Sequence, residues 1–224
     1  MMKSMKEPKR KKDPLEVKGR AKGYSCEELV KNLKRHSSFS PILIQQIKKT
    51  PNEVLRNFGT PFAKKVNKMM REVFTEAYRA KQFTRTKINN RGVLYGIVLL
   101  KHKVMDLVLK YFHERWPECV VCLYNEHNLK TGIINENGSI IEMNKSLKET
   151  IEYISKDREI FPYFNDIQFS GEEIFETLYN SQNIPERENC RYFRSMIPRA
   201  CFELPGMRGG VEKQFKNKKI NDYF

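Results

Sequence analysis

The sequence predicts an α+β fold: a small mixed or antiparallel sheet, built as two hairpins joined by a helix and covered by several helices. Four observations between Phe83 and Met143 predict it. Val93-Leu94-Tyr95-Gly96-Ile97-Val98-Leu99 is a nearly unbroken apolar run after Asn89-Asn90-Arg91-Gly92, as expected of a buried strand behind a turn. In Val104–Phe112 the apolar residues 104, 108, 111 and 112 share one helical face, and Trp116-Pro117 ends that helix because proline disfavours the α region for the residue before it. Cys119–Tyr124 reads as a second buried strand. Thr131–Ile134 and Ile140–Met143 flank Asn137-Gly138, a strong hairpin signal.

The elements before this block are helical. Ser25-Cys26-Glu27-Glu28 forms a capping box that opens the first helix. Ser40-Pro41, Thr50-Pro51 and Thr60-Pro61 each offer a side-chain acceptor at an N-cap and a proline at the first helical position, where its missing N–H costs nothing. They predict helices over residues 41–49, 51–58 and 61–80, with Gly59 at the C′ position of the middle one. On the longest, Phe62, Val66, Met69, Val73 and Ala77 line a core face, while Lys64, Lys68 and Arg71 fall at i, i+4, i+7 on another. Such a stripe reads either as a solvated face or as the groove- or phosphate-facing edge of a helix-turn-helix.

After the block, Asn144 is placed to cap a helix with Leu147, Ile151 and Ile154 inward. Phe161-Pro162-Tyr163-Phe164 is an aromatic loop, either core or a base-stacking surface. Ser170-Gly171-Glu172-Glu173 opens a helix with Ile174, Phe175 and Leu178 buried. Ile184-Pro185 opens another, on which Arg187, Arg191 and Arg194 repeat at i, i+4, i+7 with Arg199 beyond. Guanidinium forks match phosphate oxygens, so this face reads as a phosphate contact unless Glu186, Glu188 or other acids pair with it.

These assignments divide the chain into a disordered basic tail over residues 1–22, one α+β domain over 23–205, and a flexible tail over 206–224. The domain has a helical part (23–81), a sheet block (82–143) and a second helical part (144–205). Over 224 residues the net charge is +15, which predicts attraction to a polyanion, most often nucleic acid. No apolar run approaches the roughly 18–20 residues that span a bilayer, and the N-terminus lacks a signal-peptide core, so no membrane partner is expected. Five cysteines without an export signal suit reduced thiols inside a cell. Lys9-Arg10-Lys11-Lys12, after Pro8, reads as a nuclear-import signal, a DNA-contacting arm or a solvated tail. The expected location is nuclear in a eukaryote or a nuclear-replicating virus, and otherwise cytoplasmic or at the nucleoid.

The sequence offers little chemistry. Cys119 and Cys122 have CxxC spacing, but residues three apart on a strand point to opposite faces, so buried thiols are the expectation. No P-loop, dinucleotide fingerprint, GxSxG or HExxH motif is present, and no cofactor or metal is implied.

Glu76-Ala77-Tyr78-Arg79-Ala80-Lys81-Gln82-Phe83-Thr84-Arg85, then Gly92-Val93-Leu94-Tyr95 and Tyr111-Phe112-His113-Glu114-Arg115-Trp116-Pro117, resemble domain-of-unknown-function family 4130, whose members carry the label of DNA-metabolism proteins. Members show a helix ending in Glu-x-His-Arg, then Phe-x-Arg-Phe, a Leu-Tyr strand and His-Phe-x-x-Arg-Phe-Pro. They close with an Arg-x-Asn segment and a Met-Pro-Arg/Lys element, which Glu186-Arg187-Glu188-Asn189 and Met196-Ile197-Pro198-Arg199 fit. The likeness runs from about Lys64 to Glu203. Tyr78 stands where histidine is usual and Thr86 where the second phenylalanine is. Relatives lie fused or adjacent to uracil-DNA-glycosylase-like or radical-SAM proteins, so the resemblance implies DNA repair by association and carries over no catalytic residue.

The C-terminal Asn217-Lys218-Lys219-Ile220-Asn221-Asp222-Tyr223-Phe224 is similar to the sliding-clamp (PCNA) interaction motif. Ile220 matches the aliphatic plug, Tyr223 and Phe224 the aromatic pair, and Asn217 replaces the usual glutamine. The resemblance implies a sliding clamp as partner, with Lys213, Lys216, Lys218 and Lys219 steering the segment toward an acidic surface.

The expected function is a DNA-binding accessory protein of repair or replication, recruited to the clamp by its tail. Arg85, Arg187, Arg191, Arg194, Arg199, Lys64, Lys68 and Arg71 are its candidate nucleic-acid contacts. A nucleic-acid enzyme of base-excision or nuclease type, and a helix-turn-helix-like regulator using residues 51–80, are the alternatives.

Overall fold

The computed structural model describes residues 26–162, 173, 174, 177, 181, 199–202 and 204. The chain falls into two units, Met1–Phe74 and Thr75–Phe224.

The first unit holds α1 (Cys26–Leu33), α2 (Pro41–Lys49), α3 (Asn52–Asn57) and the opening turns of α4 (Pro61–Phe83). The three Ser/Thr-Pro dipeptides act in three ways. Thr60 caps α4 as expected, its Oγ1 accepting the Ala63 N–H at 3.2 Å. Ser40 precedes Pro41 but makes no side-chain cap bond. Thr50 is the C-cap of α2, and its hydroxyl donates to the Gln46 carbonyl at 2.7 Å. Consequently α3 begins one residue later than predicted, with Pro51 at its N-cap. The C-terminus of α3 differs too: Phe58, not Gly59, takes the left-handed conformation at φ 51°.

Leu29, Leu33, Leu43, Ile47, Leu55, Ala63, Val66, Met69 and Met70 form this unit's core, with Phe39, Phe62 and Phe74 packed around it. Each fully buried aliphatic side chain there contributes roughly 1.5–3 kcal/mol. The 3.6-residue periodicity of α4 explains its two faces. Ala63, Val66, Met69, Met70 and Val73 are buried, while Lys64, Lys65, Lys68 and Arg71 are exposed.

The second unit takes the end of α4, then β1 (Thr86–Ile88), β2 (Val93–Val98), α5 (Met105–Arg115), β3 (Val120–Asn125), β4 (Lys130–Ile134), β5 (Ile140–Met143), α6 (Leu147–Ser155) and α7 (Arg199–Phe202). The strands form one mixed sheet in the order β1-β2-β3-β4-β5. The β2–β3 pair is parallel across the α5 crossover, and the other pairs are antiparallel. The predicted hairpins joined by a helix are therefore present, the second extended into a three-strand meander.

Strand alternation sends the two faces to different helices. Val93, Val120, Cys122 and Ile133 pack with Leu147 and Ile154 of α6. On the opposite face, a Cβ on Gly132 would lie 2.6 Å from Met105 Cγ and 3.1 Å from Leu109 Cδ1 of α5. Asn135 and Ser139 close the β4–β5 loop through the Asn135 N–H and the Ser139 carbonyl at 3.0 Å, with Gly138 at φ 80°. This is a three-residue hairpin loop with glycine in the left-handed position.

Two expectations beyond the sheet need correction. Ser146, not Asn144, caps α6: Ser146 Oγ accepts the Glu149 N–H, and the Glu149 carboxylate accepts the Ser146 N–H. Ile174, expected inside, is 56% exposed. Phe175 and Leu178 lie outside the described residues, as do Tyr163 and Phe164. Phe161 is half-buried, and its N–H donates to the Asn90 carbonyl. No described helix is long and apolar enough to cross a membrane.

Candidate nucleic-acid interface

Charge is unevenly used across the two units. Residues 26–74 carry ten lysines and arginines against four glutamates and no aspartate. One of those glutamates, Glu72, is engaged: its carboxylate lies 2.8 Å from His36 Nε2. His36 Nδ1 accepts the Ser38 N–H at 3.0 Å, so the ring is held from both sides. Lys64, Lys68 and Arg71 have no ion-pair partner among the described residues and point outward along α4. Their i, i+4, i+7 spacing makes a single cationic stripe, as the sequence predicts.

In the second unit several cations are structural. Arg91 donates to the Ser155 and Arg158 carbonyls at 2.8 and 2.5 Å, satisfying acceptors at the end of α6. Arg158 donates through Nε to the Arg91 carbonyl at 2.9 Å and pairs with Glu136 at 2.5 Å. The Arg158–Glu136 pair lines a shallow cleft with Val120, Asn135, Asn137 and Ile154, about 390 Å³ in volume. Arg85 donates from Nη1 to the Gln82 carbonyl at 2.8 Å, near the C-terminus of α4.

A second polar assembly holds the loop that leaves β2. The Glu76 carboxylate accepts the main-chain N–H groups of Lys101 and His102 at 2.9 and 2.7 Å. Asn125, buried at the end of β3, accepts the Leu100 N–H and donates to the Leu100 carbonyl. Two side chains from distant sequence thus fix Leu100–His102, leaving Lys101 and Lys103 exposed before α5.

At the other end of α5, Tyr111 gathers two cations. Lys81 Nζ lies 5.3 Å and the Arg115 guanidinium carbon 5.5 Å from its ring centroid, within cation–π range. Arg115 also donates to the Tyr111 hydroxyl at 2.6 Å. Neither cation has an acidic partner among the described residues, and Trp116, next in the chain, is 46% exposed. Sequence reading missed this cluster because Lys81 and Arg115 come from different helices.

Three of the described thiols, Cys119, Cys122 and Cys201, are buried. Burial pushes Cys122 up to about 12 and raises Cys119 and Cys201, as expected of structural cysteines rather than nucleophiles or ligands.

Of the predicted contacts, the structure therefore places Lys64, Lys68 and Arg71 together on α4, and Arg85 at that helix's end. Arg199 begins α7, but its side chain is not among those described. Arg187, Arg191 and Arg194 lie outside the described residues. So do the clamp-motif residues Asn217, Ile220, Tyr223 and Phe224, and the import-signal residues Lys9, Arg10, Lys11 and Lys12.

No curated protein and no solved structure matches the chain. A family model does match, that of the domain of unknown function DUF4130, over residues 34–204. That span takes in α2 to α6, the whole sheet, the α4 cationic stripe and the Tyr111 cluster, and it covers most of the chain: the protein belongs to the DUF4130 family.

Proposed function

We propose that this protein binds DNA as an accessory factor of repair or replication, and that its C-terminal segment recruits it to a sliding clamp. The observation that carries the first half is the Lys64–Lys68–Arg71 stripe, three exposed cations at helical spacing with no acid paired to them among the described residues. A solvated face of a marginally charged protein alternates in sign; this one sits in a chain of net charge +15. Arg187, Arg191 and Arg194 would add a second stripe of the same spacing, and Lys9–Lys12 a nuclear-import signal. The second half rests on Ile220, Tyr223 and Phe224 and the lysines before them.

Two experiments test it. Retention of the chain on immobilised duplex should fade steeply with salt, and charge reversal at Arg187, Arg191 and Arg194 should weaken it further. In a pull-down with a purified sliding clamp, Ile220→Ala together with Tyr223→Ala should abolish capture. Unchanged capture would remove the clamp.

A helix-turn-helix regulator is the second reading. It is favoured by α3, six residues long, followed after three residues by α4 with the cationic stripe in its first turns. Footprinting separates the two: protection of one sequence supports the regulator, and sequence-blind, salt-sensitive binding supports the accessory factor.

A further inference from the structure

We infer that Lys81, Tyr111, Arg115 and Trp116 form a contact site for single-stranded nucleic acid, in which the two cations grip a backbone phosphate and the indole stacks on a base. The inference rests on the DNA-binding reading above and gives it a strand type and a place.

Lys81 and Arg115 come from different helices, α4 and α5, and both lie against one ring. Two cations gathered on one ring repel each other and raise the local positive potential, which an anion bound beside them lowers. The ring partly offsets the repulsion through its quadrupole. It also fixes the guanidinium, whose Nη1 donates to the Tyr111 hydroxyl at 2.6 Å. A held guanidinium loses less freedom on gripping a phosphate, and its remaining N–H donors stay available. Tyr111 itself is held by an edge-on contact with Phe112, ring centroids 5.4 Å apart.

Trp116 supplies the second half of the site. It is the C-cap of α5, next to Arg115, and 46% exposed. Single-strand sites pair a cationic track with an aromatic platform, because every base has a π-face once it is unstacked. A duplex hides those faces, so the arrangement favours the unpaired strand. The other cation–aromatic pair among the described residues, Lys145 over Tyr153 at 4.8 Å, has a single cation on its ring and lacks this combination.

Trp116 is the one tryptophan of the chain, so its fluorescence reports the site directly. The full chain is titrated with oligothymidine of about a dozen nucleotides, with an abasic oligomer of equal length, and with duplex. Oligothymidine should quench the emission and bind, and the abasic oligomer should bind without the quench. Trp116→Ala should weaken oligothymidine binding roughly tenfold and leave the abasic affinity unchanged. Lys81→Gln with Arg115→Gln should lower the slope of log affinity against log salt by about 0.7 for each phosphate that the variant no longer neutralises. Arg115→Lys, which keeps the charge and loses the fork, should keep the salt slope and weaken the affinity, and unchanged melting of each variant excludes a folding defect. Three results would overturn the site while sparing the DNA-binding reading: binding without any quench, affinity untouched by the double substitution, or an equal loss from the control Lys145→Gln. Absence of binding to every oligomer at low salt would overturn both.

Discussion

Arg91 and Arg158 each donate to the other's main-chain carbonyl, Arg158 through Nε at 2.9 Å and Arg91 through Nη1 at 2.5 Å. This reciprocal bond ties the β1–β2 turn to the segment after α6. It also shows why cation counting overstates a binding surface, since both guanidiniums are held by the fold. Each removal leaves a partly buried carbonyl without its donor. Arg91→Ala and Arg158→Ala should each lower stability by about 1–3 kcal/mol, read from urea unfolding. The double variant should cost less than the sum of the two, because they share one lock. DNA retention at matched folded fraction should not change.

Asn125 should be the costliest single polar residue of the sheet. Its amide accepts from and donates to the same residue, Leu100, inside the protein. Asn125→Ala leaves both backbone groups of Leu100 short of a partner and should destabilise by roughly 2–3 kcal/mol. Hydrogen exchange should then rise at Leu100 and in the following loop ahead of the sheet.

Two glycines should respond in opposite senses. Gly132 faces α5, where an added methyl would meet Met105 Cγ at 2.6 Å. Gly132→Ala should cost about 1–3 kcal/mol, and Met105→Ala in the same chain should recover part of it. Gly59 has open space around its Cβ position, and the left-handed residue is its neighbour Phe58. Gly59→Ala should be neutral or stabilising by about 0.4–1 kcal/mol. Thermal melting of the two variants checks both.

The Cys122 thiol gives a pH signature. Its ordinary value is 9.0 and burial lifts it to about 12. Between those values the unfolded chain has released a proton that the folded chain retains. Stability from this group is therefore intact below pH 9 and falls as pH rises from 9 toward 12. Native alkylation at pH 8 should spare Cys122 and Cys119, and Cys122→Ala should flatten the alkaline fall in unfolding midpoint relative to the parent chain.

What the sequence disclosed was mostly local. The sheet block was legible because apolar runs, Asn137-Gly138 and Trp116-Pro117 act within a few residues of themselves. Helix α4 was legible because one periodicity repeats along its 23 residues. Caps were less so: Asn144 and Ser146 are both good N-caps, and only Ser146 has a glutamate three residues on, a capping-box signal present in the sequence. Phe58 in a left-handed conformation has no local signature, since the adjacent glycine is the better candidate. The candidate site was legible only where it lies on one helix. Lys64, Lys68 and Arg71 follow from spacing, whereas the Lys81–Tyr111–Arg115 cluster and the Arg91–Arg158 lock join residues far apart in the chain. Their partners are set by packing, and no periodicity announces them.

Exposed cations of α4, with no acid paired to them among the described residues, are expected to meet nucleic-acid phosphates. The most direct measurement is the salt dependence of DNA affinity for the parent chain and for Lys64→Glu/Lys68→Glu/Arg71→Glu, at matched stability. Log affinity should fall linearly with log salt, with a slope in the variant shallower by roughly 0.9 for each duplex phosphate left without its cation. Equal affinities and equal slopes for the two proteins would contradict it.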